Sequence, residues 1–167
     1  MNPDILFSTG NTVLGCVLVA QSERGVCAIL LGGRAAALAH DLARRFPHAR
    51  LRRANGELDA LLEKVASFLA APAAGLDVPL DPQGSDFERL VWAALRDIPP
   101  GATETYGALA RRIGAPRAAK EVGEACAANP LAVAIPCHRV VRKDGSLAGY
   151  RWGVARKRAL LEREAAA

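Results

Sequence analysis

The chain changes character at Leu80-Asp81-Pro82-Gln83-Gly84, a turn-forming stretch without hydrophobic periodicity, and this break constrains the fold more than any other feature. Before it lie two short β-rich runs, 13–20 and 26–31, joined by Gln-Ser-Glu-Arg-Gly as in a hairpin. Helical patterns follow over 35–46 and 57–71, the second opening after Asn55 and stopping at Pro72, and 76–80 reads as one more strand. After the break the pattern is helical. Ser85 and Glu88 form a capping box for a helix running to about Asp97, with Phe87, Val91, Trp92 and Leu95 on its apolar face. Thr105 can cap another helix, with Tyr106, Leu109, Ala110 and Ile113 on one face. Gly114 ends that helix and Pro116 precedes a second one over 117–128. The expected fold class is α/β, with a small N-terminal α/β lobe over 1–80 and a helical C-terminal lobe over 81–167 that carries a helix-turn-helix.

Charge follows the same division. Residues 1–80 hold 8 Lys/Arg against 7 Asp/Glu, whereas 111–158 hold 11 against 3, so the net charge of +5 belongs to the C-terminal part. Such a surface suits a polyanion, although a solvated basic face would look the same. Cys16, Cys27, Cys126 and Cys137 form no CxxC pair and no regular framework. No signal-peptide pattern is present and no apolar run approaches 18 residues, so reduced thiols in a cytoplasm are expected. Cys16 and Cys27 with His40 and His48 match no compact zinc spacing, and no metal is expected.

Chemistry concentrates at residues 135–141, Ile-Pro-Cys-His-Arg-Val-Val, where an apolar run is interrupted by a thiol, an imidazole and a guanidinium. The thiolate is the nucleophilic form, and an unperturbed thiol with a pKa of about 8.5 needs help to reach it. His138 and Arg139 are the candidate helpers. A bare Cys-His pair reads equally as a small buried hydrophobe beside a core histidine.

The wider pattern discriminates. Asn129-Pro130 lies upstream, its asparagine eight residues before the cysteine of Pro136-Cys137-His138-Arg139-Val140; Tyr106 precedes both, and Gly149-Tyr150 and Glu164 follow. This constellation resembles the O6-alkylguanine-DNA alkyltransferases from about Leu80 to the end. The N-terminal half, with Gly15-Cys16-Val17-Leu18-Val19-Ala20 and Ser22-Glu23-Arg24-Gly25, resembles the alkyltransferase domain of the bacterial Ada protein.

The resemblance implies a ribonuclease H-like N-terminal lobe and a single-use repair protein. Alkyl groups of O6-alkylguanine, and less efficiently O4-alkylthymine, would pass from double-stranded DNA irreversibly to Cys137, with no cofactor. His138 and a water would act on the thiol, and Glu164 would orient the histidine in the nucleophile–base–orienter manner. Locally Glu164 reads only as a solvated helix position. Tyr106 would crowd the phosphate beside the target nucleotide and donate a proton to the departing guanine. Asn129 would join the recognition helix to the active-site segment, although a simple helix C-cap explains Asn129-Pro130 as well. Val140, Ala148, Gly149, Tyr150, Arg151 and Trp152 would wall the base pocket, with Trp152 narrowing it.

The nucleotide must be flipped to react. Arg117, Ala118, Ala119, Lys120, Gly123, Ala127 and Arg139 would form the DNA surface, small side chains letting the helix approach the minor groove. Lys120 stands where the family has an intercalating arginine, and Glu121 where a small residue is usual. The protein is expected to be a cytoplasmic monomer. Two other readings remain: a lesion-recognition module of the alkyltransferase-like kind, against which the reactive-looking Cys137 speaks, and an Ada-type transcriptional regulator, whose regulatory module is a separate metal-binding segment absent from this sequence.

Overall fold

A computed structural model describes residues 3–147 and 149–167. Its N-terminal half is built on a four-stranded sheet in the order β3-β2-β1-β4, formed by β1 (Asp4–Thr12), β2 (Gly15–Gln21), β3 (Val26–Gly32) and β4 (Arg50–Arg53). β1–β2 and β2–β3 are antiparallel, the second pair irregular at Ala20/Gln21, whereas β4 runs parallel to β1. The β2–β3 hairpin falls where the two apolar runs place it. Their interiors are buried almost residue by residue, as expected of strands covered on both faces. Helix α1 (Ala35–Arg45) packs on β2 and β3, and α2 (Asp59–Ala70) packs on β1.

Two strands depart from the sequence reading. β1, absent from that reading, is an interior strand of the sheet that buries Ile5 and Phe7, but its second half, Ser-Thr-Gly-Asn-Thr, lacks the apolar alternation that marks a strand. β4 is an edge strand of sequence Arg-Leu-Arg-Arg, with charge on an otherwise open edge. Conversely, 76–80 forms no full strand. Only Leu80 bridges to Val26, flanked by the bonds Val26 N–H to Pro79 O (2.9 Å) and Asp81 N–H to Val26 O (2.8 Å).

The helical half begins at α3 (Asp86–Leu95), where Ser85 Oγ accepts from Glu88 N at 3.1 Å and Ser85 N donates to Glu88 Oε1 at 2.8 Å, completing the capping box. Gly84 is required there, because a Cβ at that position would sit 2.5 Å from the Trp92 ring. The Trp92 indole N–H in turn donates to Ala125 O at 2.9 Å, tying α3 to α5 (Ala119–Ala127). α4 (Tyr106–Arg112) is capped by Thr105 and closed by Gly114, whose φ of +81° allows Gly114 N–H to reach Arg111 O and Ala115 N–H to reach Ala110 O. The second helix of the pair starts at Ala119 rather than 117, since Ala118 sits at φ −100°, ψ 24°. The chain ends on α6 (Val154–Ala165), which buries Lys157, Leu160 and Glu164 along one face.

Two pairings aim this half at the site. The outer edge of β3 accepts the segment just before Cys137, through Ile29 N–H to Pro130 O and Ala132 N–H to Ile29 O, both 2.9 Å. Downstream, β5 (Glu104–Thr105) lies parallel to β6 (Val140–Val141), which brings the start of α4 beside the residues that follow Arg139. The buried apolar residues of both halves form one continuous cluster. No helix among the described residues is long and apolar enough to cross a membrane.

Candidate active site

Cys137 opens a single 3-10 turn, Cys137–Arg139, immediately before β6. Its approach is fixed by Asn129, which is fully buried and uses both ends of its amide: Nδ2 donates to Ile135 O (2.9 Å) and to Cys137 Sγ (3.3 Å), while Oδ1 accepts from Leu131 N (2.8 Å). Asn129 is therefore more than a C-cap. It ties the end of α5 to the sulfur and to the strand-like approach across two turns of chain. That approach includes Val133 at φ +68°, a left-handed conformation uncommon for a β-branched residue.

The thiol is 5% exposed, and burial pushes its pKa up to about 11, against the opposing pull of the Asn129 amide and the positive charges of Lys157 and Arg151. At neutral pH about one such thiol in ten thousand is ionised. The resting group is a protected thiol that has to lose its proton during the reaction.

The base lies beside it. His138 is wholly buried, and burial lowers its pKa although Glu164 pulls the other way, so the imidazole is neutral at pH 7. Nε2 lies 2.7 Å from Glu164 Oε1, and Nδ1 has no hydrogen-bond partner among the described residues. Burial alone would raise the Glu164 carboxyl, but bonds from His138 and Arg139 outweigh it and hold the group below the usual carboxylate range. An ionised carboxylate only accepts, so Nε2 carries the hydrogen and Nδ1 presents its lone pair, the arrangement of a general base. Among the described hydrogen bonds the partner of Cys137 Sγ is Asn129, not His138.

Arg139 requires a correction. It was expected on the DNA surface, yet it is 6% exposed and its donors point inward: Nε to Glu164 Oε2 (2.9 Å), Nη2 to the same oxygen, and Nη1 to Ile98 O (2.6 Å). A buried carboxylate needs a paired cation, and Arg139 supplies it. Its help to the thiol is thus indirect.

A cavity of about 270 Å³ opens over the sulfur. It is lined by Gly149, Tyr150 and Arg151, expected in the pocket wall, by Tyr106, and by Gly123 and Ala127, which were expected on the DNA surface. Burial raises the Tyr106 phenol, with the neighbouring Cys126 and Cys137 adding to the effect, so it is a proton donor at neutral pH. The φ of +49° at Gly149 belongs to the left-handed region, which glycine adopts freely.

Val140 and Trp152 do not line this cavity: Val140 is fully buried, and Trp152 stands behind Tyr150 in an edge-on contact with ring centroids 5.3 Å apart. Ala148 lies outside the described residues. Cys126, not expected at the site, lines the cavity, following Gly123 by three residues on the same helix face. Lys157, also unforeseen, is fully buried and donates to Gly149 O at 3.3 Å. Its spacing of seven from Glu164 was the available signal.

Arg117 and Lys120 are exposed near the start of α5, Ala118 and Ala119 are half-buried between them, and the Lys120 ammonium lies 4.0 Å from Glu124. Of the basic residues in 111–158, Arg139 and Lys157 are buried, Arg112 pairs with Glu104 at 3.0 Å, and Arg156 bonds Leu14 O at 2.7 Å. Arg111, Arg117, Lys120, Arg142, Lys143, Arg151 and Arg158 remain exposed. Among the described residues no group of three or more His, Cys, Asp and Glu is placed to hold a metal ion.

A family profile described as the DNA-binding domain of 6-O-methylguanine DNA methyltransferase matches residues 86–166. The bifunctional transcriptional activator/DNA repair enzyme Ada of Escherichia coli is 48% identical over 98% of this chain, which spans 46% of that protein. The inducible methylated-DNA–protein-cysteine methyltransferase of Bacillus subtilis is 33% identical over 98% of this chain and 87% of its own length. Among solved structures, Mycobacterium tuberculosis OGT in complex with DNA superposes with a TM-score of 0.81 at 33% identity, covering 96% of this chain and 93% of that one. With a buried Cys-His-Glu arrangement under a cavity beside a helix-turn-helix, and with these likenesses along its whole length, the chain belongs to the methylated-DNA–protein-cysteine methyltransferase family.

Proposed function

We propose that the chain is a single-turnover DNA repair protein that moves the alkyl group of O6-alkylguanine, and more slowly O4-alkylthymine, from duplex DNA to Cys137. The observation that carries this reading is the thiol at the floor of a cavity, bonded to Asn129 and adjacent in sequence to a neutral histidine whose Nε2 is held by Glu164. The thiol proton passes to His138 Nδ1, through a water as the family resemblance implies. Sulfur then attacks the alkyl carbon, the C–O6 bond breaks, and guanine leaves with the phenolic proton of Tyr106. Return of the imidazolium proton to Tyr106 through solvent balances the reaction. A thioether has no easy leaving path, so each molecule acts once.

The cavity lies between α5 and the 149–151 wall, which fits entry of an extruded base rather than a base still in the stack. Arg117, Ala118, Ala119, Lys120, Gly123 and Ala127 would form the DNA surface, with Lys120 filling the gap left by the base. No organic cofactor or metal is needed, and a cytoplasmic monomer suits four free cysteines. We take 1–80 and 81–167 as the two domains. Three antiparallel strands with a fourth added in parallel support a ribonuclease H-like reading of the first.

Intact mass before and after exposure to a duplex containing O6-methylguanine tests the proposal. The expected gain is one methyl group in place of one hydrogen, mapped to the peptide carrying Cys137 and lost in Cys137→Ala. Stoichiometric repair by Cys137→Ala would overturn it, and lesion binding without any mass change would favour a recognition module.

A further inference from the structure

A second cavity, of about 190 Å³, lies beside the segment that leads to Cys137 and shares no lining residue with the one over the sulfur. Phe68 of α2, Leu76, Leu80 and Pro136 give it an apolar wall, and Arg96 and Arg139 are its charged lining residues. Val133, at its left-handed φ of +68°, lines it as well, so the cavity abuts the approach to Cys137.

The two arginines are held differently. Arg139 is 6% exposed, and three of its five N–H donors are taken, Nε and Nη2 by Glu164 and Nη1 by Ile98 O. Two donors are left on a guanidinium that these bonds fix in place. Arg96, at the end of α3, is exposed, and its guanidinium makes no hydrogen bond or ion pair among the described residues. The adjacent Asp97 faces Arg112 instead, at 3.5 Å. Among the described residues no carboxylate lines the cavity. Carboxylates begin where a groove continues from Phe68, Gly75 and Leu76 along α2, with Glu63, Lys64 and Asp77 on its walls. The positive lining therefore belongs to the cavity, and the groove beyond offers an anion no net attraction.

We propose that this cavity is a binding site for a small organic acid, an apolar body about the size of a phenyl ring that carries one carboxylate. The carboxylate would meet Arg139 and Arg96, and the body would lie against Phe68, Leu76, Leu80 and Pro136. A guanidinium fork matches the two oxygens of a carboxylate, and a fixed fork loses little freedom in binding them. An inorganic anion would leave the apolar wall uncovered, and a neutral apolar ligand would desolvate guanidinium donors without pairing them. The site uses neither Cys137 nor His138, and it stands whether or not Cys137 accepts an alkyl group.

The test titrates 3-phenylpropionate and its neutral isostere 3-phenylpropionamide into the intact chain at about 0.15 M salt, where attraction to exposed basic side chains is screened. Calorimetry reads affinity, and backbone amide shifts read position. The acid should bind with a Kd of about 1–10 mM, ordinary for a ligand of roughly eleven non-hydrogen atoms. The amide should bind roughly ten- to a hundredfold more weakly, the worth of a hydrogen bond to a charged group. Shifts should centre on Gly75, Leu76 and Ala134. Arg96→Gln, a change at an exposed side chain, should weaken the acid about two- to fivefold, and Leu76→Ala should weaken it by about fourfold or more, the worth of one buried methylene. Arg139 stays in place because it also holds Glu164. Equal affinities for acid and amide would overturn the assignment, as would an acid affinity indifferent to Arg96→Gln, or no binding of the acid up to about 50 mM. Shifts centred on Gly123 and Gly149 would overturn it too, since they would put the acid over Cys137 instead.

Discussion

Replacing Glu164 with glutamine separates what the carboxylate does for the fold from what it does for the thiol. In the parent, Glu164 accepts from His138 Nε2 at 2.7 Å and from Arg139 Nε at 2.9 Å, with almost no solvent reaching either partner. Glutamine keeps the shape but removes the charge, and its amide NH₂ then faces a donor. Taking one partner from a buried ion pair costs about 3–5 kcal/mol, because the remaining charge has nothing to offset it. Against a total of about 5–15 kcal/mol the variant stays folded, and at this chain length its melting temperature should fall by roughly 6–20 °C.

The sign of the pH dependence follows from the two depressed groups. His138 and Glu164 both titrate lower in the folded protein than at their ordinary values of 6.5 and 4.5, so the unfolded chain binds more protons. Their stabilisation is complete above those values and is lost as pH falls through the depressed ones. Glutamine should therefore remove the carboxylate's part of the acid limb of a denaturant-midpoint profile below about pH 4.5, while His138, no longer pulled up by Glu164, titrates lower still and contributes more. Alkyl transfer should slow by about 10²–10⁴, since the imidazole is no longer held with Nδ1 unprotonated. Denaturant melts and single-turnover rates on a methylated duplex check both effects. A stability loss under about 1 kcal/mol together with an unchanged rate would refute the coupling of carboxylate, arginine and imidazole.

Three further outcomes follow from where side chains point. Arg117→Ala should lower the slope of log affinity against log salt by about one, as loss of a phosphate contact does, whereas Arg139→Ala should cost stability and leave that slope unchanged. Lys120→Arg should tighten duplex binding and speed duplex repair more than single-strand repair, because a planar guanidinium can bond and stack where an ammonium cannot; an unchanged duplex rate counts against Lys120 as the gap-filling residue. Trp152→Ala should cost about 3–5 kcal/mol, since Trp152 is packed behind Tyr150 and not in the cavity wall. Any gain for bulky O6-benzylguanine would then come from a loosened Tyr150, and Trp152→Phe should preserve both stability and selectivity.

What the sequence made legible is chemistry that is local in the chain, and what it hid is geometry imposed from a distance. Cys137, His138 and Asn129 lie within nine residues of one another, so their spacing already implies a shared site. The capping box at Ser85 and the closure of α4 at Gly114 are equally local, because each is satisfied within one helical turn. β4 was invisible because an edge strand of sequence Arg-Leu-Arg-Arg has almost no apolar face to reveal it. β1 was hidden by its polar second half, although the sheet places it between β2 and β4. Arg139 shows the same limit at the level of one side chain. In a stretch with an excess of positive charge it looks like a phosphate contact, and only the arrival of Glu164 from 25 residues away turns it inward. Lys157 follows from the same helix: once α6 is docked by Leu160 and Glu164, the residue seven positions earlier must enter the core beneath Gly149 whatever its polarity. Burying an ammonium there disfavours its charged form, and burial does lower the Lys157 pKa, with the nearby thiols Cys137 and Cys126 pulling the other way. The ammonium is held at that cost by its bond to Gly149 O, which ties α6 to the cavity wall and which a leucine of similar bulk could not make.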